Sequence, residues 1–249
     1  MQRLFARAVG LSMPVWLLIG GCGGAGFSGE IRVPLEQRHA LTATSPPNYQ
    51  IRLPGDRVFN IHLKASTQDP GYEGRARGDS DAAPDGNAFC TAQAANGGTS
   101  SAQFTLGECI DNETDRRQSV AIQVECELEQ EIQAPHLPAA KTLASANLTL
   151  MVLDARQRPQ VNMPVTQVTS DQAIGTVATT QQFHLSAVFE PQQSYNIILQ
   201  GKVDSATAVG QEATARLQVR QLKMRLTFSP ALPESAPASA PAQTGPARN

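Results

Sequence analysis

Aromatic side chains are scarce, at 5% of 249 residues, and the single tryptophan, Trp16, lies close to the N-terminus. Stacking platforms for sugars or bases need exposed rings, so they are hard to build from this composition. A basic excess is also missing, since 20 Lys+Arg stand against 22 Asp+Glu, and with it the usual electrostatic footprint of a nucleic-acid surface. Beyond the first 22 residues there is no complete G-x-S-x-G elbow, no H-E-x-x-H, C-x-x-C or P-loop and no dinucleotide fingerprint. The four histidines, His39, His62, His136 and His184, are far apart in sequence. The chain is therefore read as non-enzymatic and without a cofactor or metal. A sustained 3.6-residue period is absent as well, which excludes a helical architecture.

The N-terminus carries the clearest positive signal. Arg3 and Arg7 precede an uncharged run from Ala8 to Ile19, too short to cross ~30 Å of hydrocarbon at ~1.5 Å per residue. The run ends in Ile19-Gly20-Gly21-Cys22, which resembles the lipobox of bacterial lipoprotein precursors: a branched aliphatic, two small residues, then cysteine. That resemblance implies a signal peptide at 1–21, removed on export, and a diacylglycerol on the Cys22 sulfur, with further acylation (palmitate) of the new amine. Several acyl chains anchor a protein far more firmly than one. Gly23 follows the cysteine where an aspartate would favour inner-membrane retention, so the resemblance points to the outer membrane of a bacterial cell envelope.

Residues 22–29 are rich in glycine and read as a lipidated flexible tether. Residues 230–249, with five prolines spaced among Ala and Ser, read as a disordered tail. Between them the period is two. Val120, Ile122, Val124, Cys126 and Leu128 alternate with Gln123, Glu125, Glu127 and Glu129, as a strand with one buried and one wet face requires. In the last such stretch Ala213, Ala215, Leu217 and Val219 keep odd parity, whereas Leu222, Met224, Leu226 and Phe228 keep even parity. A switch at Arg220-Gln221 predicts a β-bulge. The fold class is all-β, with one or two antiparallel β-sandwich units. Leu53–Leu63 aligns without gaps on Phe189–Leu199, and a Pro/Ala-rich stretch follows Gln133. These features suggest two units, 30–133 and 142–229, with hairpin chemistry recurring in one larger sandwich as the alternative.

Export would place Cys90, Cys109 and Cys126 in an oxidising space. By parity Cys126 points with the core residues, whereas Cys109 opposes Phe104, Leu106 and Ile110. That disfavours pairing those two and leaves a Cys90–Cys109 disulfide as the expectation, with Cys90–Cys126 second. Residues 66–103 read as a long loop, whose poorest part, 66–88, has almost no apolar content. Asp79-Ser80-Asp81 and Asp85-Gly86-Asn87 there carry calcium-like oxygens at a spacing that departs from the calcium-loop pattern. Glu125, Glu127, Glu129 and Glu131 form an acidic stripe and Arg216, Arg220, Lys223 and Arg225 a basic one, either as solvated edge protection or as a docking surface for an opposite charge. The functional expectation is a lipid-anchored, non-catalytic assembly or interaction module. It would meet the membrane through its lipid, take a protein or envelope-polymer partner through sheet edges and the loop, and bind no nucleic acid. A calcium- or saccharide-binding module is the alternative, and an envelope hydrolase comes third.

Overall fold

The structure, a computed structural model, describes residues 31–135, 142–171 and 175–231. The expected signal peptide at 1–21, Cys22, the expected tether at 22–29, His136 and the residues beyond Ala231 lie outside the described residues. A single 3-10 turn (Leu35–Gln37) precedes twelve strands: β1 (His39–Leu41), β2 (Tyr49–Leu53), β3 (Ile61–Asp69), β4 (Arg75–Ala82), β5 (Ala88–Ala95), β6 (Thr99–Asn112), β7 (Gln118–Gln133), β8 (Leu143–Asp154), β9 (Pro159–Thr169), β10 (Gly175–Phe189), β11 (Gln193–Ala206) and β12 (Glu212–Pro230). They form two sheets packed face to face as an antiparallel-rich β-sandwich. Sheet A runs β6-β11-β8-β9, with both β1 and β3 on the far side of β6; sheet B runs β10-β7-β12-β5-β4, with β2 on the same side of β12 as β5.

The alternation seen in the sequence is the packing itself. Even-numbered residues of β7 from Val120 to Ile132 are buried while odd-numbered Glu125 and Glu127 are exposed. β6 breaks the rule because it is covered on both sides, with every residue from Ala102 to Ile110 buried. Its inner face joins the main core with Phe104, Leu106 and Ile110. On its outer face Cys109 lies in a small second core with Ile61, Leu153 and Ile198, capped by Val33 of the N-terminal segment.

β12 carries the expected bulge. Its register against β7 shifts between Arg220 and Lys223, and Gln221 adopts φ 51°, the left-handed region. At that point β12 exchanges partners, pairing with β5 over Glu212–Val219 and with β2 over Met224–Phe228. The extra residue keeps the inner face apolar on both sides of the exchange.

Three expectations need correction. The halves 30–133 and 142–229 are not separate units, because each sheet interleaves strands from both: β6 pairs with β11, and β7 with β10 and β12. The repeated segment marks instead two connections that cross from sheet B to sheet A, β2 to β3 and β10 to β11, and both arriving strands pair with β6. The long loop 66–103 is mostly strand, comprising the end of β3, β4, β5 and the start of β6. Third, the Cys90–Cys109 disulfide is not formed; Cys90, Cys109 and Cys126 are all free and buried. The β5–β6 connection, turned by Asn96 (φ 52°) and Gly97 (φ 85°), delivers its two strands to different sheets. Cys90 therefore points into the main core while Cys109 faces outward beneath Val33. Cys90 and Cys126 share sheet B but flank β12, about two strand spacings of ~4.8 Å, which exceeds the ~7 Å Cα limit for a bridge. Burial keeps the thiols protonated, pushing Cys109 up to about 12 and Cys126 to about 11.

Candidate functional site

The outer face of sheet B brings the two charge stripes together. Adjacent strands β7 and β12 set Glu131 opposite Arg216, Glu129 opposite Gln218, Glu127 opposite Arg220 and Glu125 opposite Lys223. The stripes thus meet each other within one sheet. Arg220 Nη2 lies 3.3 Å from Glu129 Oε2, and Arg216 and Arg220 both donate to Gln218 Oε1 at 3.0 and 2.9 Å. Gln221 Nε2 donates to Glu127 Oε1 at 3.0 Å, and Gln133 Nε2 donates to Glu131 Oε1. Such exposed pairs each contribute at most about 1 kcal/mol, but together they cancel the field that either stripe would project alone.

Two clefts on this face mix amide and hydroxyl groups with charged side chains, Glu131 and Arg216 in the first and Arg52, Glu125, Lys223 and Arg225 in the second. The first, of about 470 Å³, is lined by Phe89, Thr91, Gln93, Gln133, Arg216 and Gln218, among others. A second, of about 440 Å³, lies further along β7 and β12 and includes Arg52, Pro54, Gln123, Gln182, Lys223 and Arg225. Phe89, half-buried on β5, supplies the one aromatic ring of the first cleft.

A different chemistry lies at the seam between the sheets near β1 and β2. Glu108 on β6 is fully buried, and burial pushes its carboxyl up to about 7 against the opposing pull of Arg57. Arg57 Nε stands 3.5 Å from Glu108 Oε1, and the Asn60 backbone N–H donates to Oε2 at 3.3 Å. Arg57 Nη1 is 2.6 Å from His39 Nδ1. A guanidinium only donates, so Nδ1 must accept and His39 must be neutral. Burial, with Arg57 adding to it, lowers the His39 pKa to about 4. The ring stacks on Tyr49 at 5.5 Å. Arg57 and Asn60 both also reach the Gln37 carbonyl, at 3.3 and 2.8 Å, so the cluster fastens the N-terminal segment to the seam. Sequence reasoning did not single out Glu108, although it shares the parity of Phe104, Leu106 and Ile110, which is the signal that places it inward.

The other sequence candidates are dispersed. Asp79 and Asp81 lie on β4, where a hydrogen bond and charge from Lys64 at 2.9 Å hold the Asp81 carboxyl below its ordinary range. Asp85 accepts from the Asn87 backbone N–H at 3.0 Å in the β4–β5 turn. No group of three His, Cys, Asp or Glu side chains able to hold a metal occurs among the described residues. His62 and His184 are exposed on β3 and β10. Among the described residues no helix is long and apolar enough to cross a membrane.

No protein-family model matches the chain, and no curated protein matches it. Among solved structures it is similar to one described as the structural basis for the promiscuous specificity of carbohydrate-binding modules of the β-sandwich superfamily, at 11% identity and TM-score 0.25 over 65% of this chain and 55% of that one. A CBM4 structure is similar at 13% identity and TM-score 0.20, covering 68% of this chain and 86% of the other. The CBM22-1 xylan-binding domain from Paenibacillus barcinonensis is similar at 12% identity and TM-score 0.17, covering 67% and 87%. The chain thus spans about 55% of the length of the first of these. What it shares with them is at most the β-sandwich architecture.

Proposed function

We propose that this chain is a lipid-anchored protein of the bacterial envelope that works by binding rather than by turnover, and that its ligand is a hydroxyl- and amide-rich envelope polymer held on the outer face of sheet B. The observation that carries this reading is the placement of the Glu stripe beside the Arg/Lys stripe on adjacent strands, where opposite charges neutralise each other's field and Arg220 pairs with Glu129. Beside Glu131 and Arg216, which stand opposite each other, the first cleft offers Gln93, Gln133 and Gln218 amides, the Thr91 hydroxyl and the flat Phe89 ring to a polar chain. Amides donate and accept side by side, as polymer hydroxyls and peptide groups do.

Co-sedimentation with purified peptidoglycan sacculi tests the reading. Wild-type protein is expected to pellet with sacculi, and to do so still in 0.5 M salt, because binding through amides is not screened as a charged stripe would be. Combining Thr91→Ala, Gln93→Ala and Gln218→Ala should weaken binding at least tenfold, given about 0.5–1.5 kcal/mol per hydrogen bond. Retention that vanishes in salt would identify electrostatic docking instead, and no retention at all would reject the proposal.

The anchor is tested separately. Cys22→Ser is expected to move the protein from the membrane pellet to the soluble fraction, because a serine cannot accept the thioether-linked lipid. Recovery of unacylated wild-type protein by intact-mass spectrometry would remove the anchor from the proposal.

A further inference from the structure

Sheet edges expose unpaired N–H and C=O groups, and proteins normally guard them with charge, proline, bulges or brevity. Most edges of this sandwich are guarded. β1 and β2 are only three and five residues long. β3 carries Lys64 and Asp69, and β4 carries Arg75, Arg77, Asp79 and Asp81. These two also close on each other through Lys64–Asp81 and the bond from Gln68 Nε2 to the Gly78 carbonyl. β9 contains Pro159 and Pro164, and its register shifts twice against β8.

β10 has none of these devices. Its fifteen residues contain no Asp, Glu, Lys, Arg or Pro, and its register against β7 runs unbroken from Gly175 to Phe189. Gly175 to Thr180 are exposed on both faces, and Val177, on the side facing sheet A, is 50% exposed. Along the same inner side Phe183 and Leu185 are only partly buried.

We propose that the β10 edge is an interface on which a second copy of this chain docks, antiparallel, strand to strand. Charge is what singles out the occupant. A strand without charged residues can meet its own copy in any register without setting like charges opposite each other, whereas β4 paired with itself would have to accommodate four charged side chains. Antiparallel self-pairing also continues the alternation by which β10 joins β7. It uses one patch twice and so closes as a two-fold dimer instead of propagating. With the axis at Thr180, Val177 of one copy faces Phe183 of the other, Thr179 faces Gln181, and the uncovered apolar side chains find partners. The two outer faces of sheet B then form one continuous surface with duplicated clefts. The interface stands independently of what those clefts bind.

Cysteine crosslinking of the full chain in native membranes tests this. Thr176→Cys, Thr180→Cys and Ser186→Cys are made singly in the same background, where Cys90, Cys109 and Cys126 are buried. Under mild oxidation, Thr180→Cys is expected to give a reducible band of twice the chain mass, at least fivefold stronger than either flanking position. Positions four or more residues from the axis lie about 27 Å or more from their own copies, at ~3.4 Å per residue. Equal yields at all three positions, no covalent dimer at any, or a conjugate of another mass would each overturn the proposal. As a second readout, the detergent-extracted wild-type chain should sediment as a dimer and Val177→Lys as a monomer that still unfolds in one cooperative transition, while Gln167→Lys on β9 stays dimeric. A monomeric wild type, or dissociation by the β9 lysine, would count equally against it.

Discussion

His39→Phe is expected to expose a loss of roughly 3 kcal/mol in stability as pH rises from 4.5 to 7, a loss that the wild-type chain partly conceals. Glu108 has its pKa raised from 4.5 to about 7 in the fold, so between those values the native state holds a proton that the unfolded chain has released. Stability must therefore fall with rising pH across that window. His39 runs the other way. Its pKa drops from 6.5 to about 4, so the unfolded chain binds the extra proton between those values and stability rises with pH. From about 4.5 to 6.5 the two slopes oppose each other, His39 contributing the smaller part because its ring is partly open to solvent.

Phenylalanine preserves the stacking on Tyr49 while removing one of the two titrations. Glu108→Gln removes the other, and this variant should instead gain stability from pH 4 to 6.5. Urea unfolding in half-unit pH steps gives the readout. Parallel profiles for wild type and both variants would show that the seam has no part in the pH response.

The second large effect concerns the end of the sandwich held by Asn112. This side chain is 1% exposed. Its Nδ2 lies 3.1, 3.1 and 3.0 Å from the carbonyls of Arg116, Phe189 and Glu190, and its Oδ1 accepts from the Thr114 backbone N–H and hydroxyl at 3.2 and 2.7 Å. One amide thus joins the β6–β7 turn to the β10–β11 turn. Asn112→Asp keeps the shape but loses both donors and turns a carboxylate oxygen toward three carbonyls. A cost of about 4 kcal/mol is expected, from unsatisfied buried groups at about 1–3 kcal/mol each. The melting temperature should drop by roughly 10 °C. Asn112→Ala, which adds no repulsion, should fall between aspartate and wild type. Equal melting temperatures for all three would mean that the two turns are held by other contacts, such as the Arg117–Glu190 pair.

Much of this fold was legible because burial in a sandwich has period two. The inner faces of β7, β11 and β12 and the bulge at Gln221 all follow from parity. β4 escaped because it is built without large apolar residues: of its eight positions only Ser80 and Ala82 are buried. A Cβ on Gly78 would meet the Ser101 carbonyl at 2.9 Å, so small residues permit the close approach that a sequence reading takes for loop composition. The disulfide failed for a non-local reason. Parity placed Cys109 opposite Phe104 correctly, but nothing near Asn96-Gly97 says that the two strands it joins will part to different sheets. Likewise each charge stripe was visible, while their adjacency depends on β12 lying beside β7. Glu108 could have been found by extending the parity of Phe104 and Leu106 one step.

The placement of β12 has a consequence for how the molecule comes into being. It is the last of the described strands, yet it occupies the middle of sheet B, between β7 on one side and β5 and β2 on the other. Until Glu212–Pro230 have been synthesised, that layer has a gap at its centre and the interior stays wet. Such topologies acquire structure late and slowly, because distant segments must meet before any of them is rewarded. A nascent chain of this kind stays without its complete second layer until its final stretch arrives.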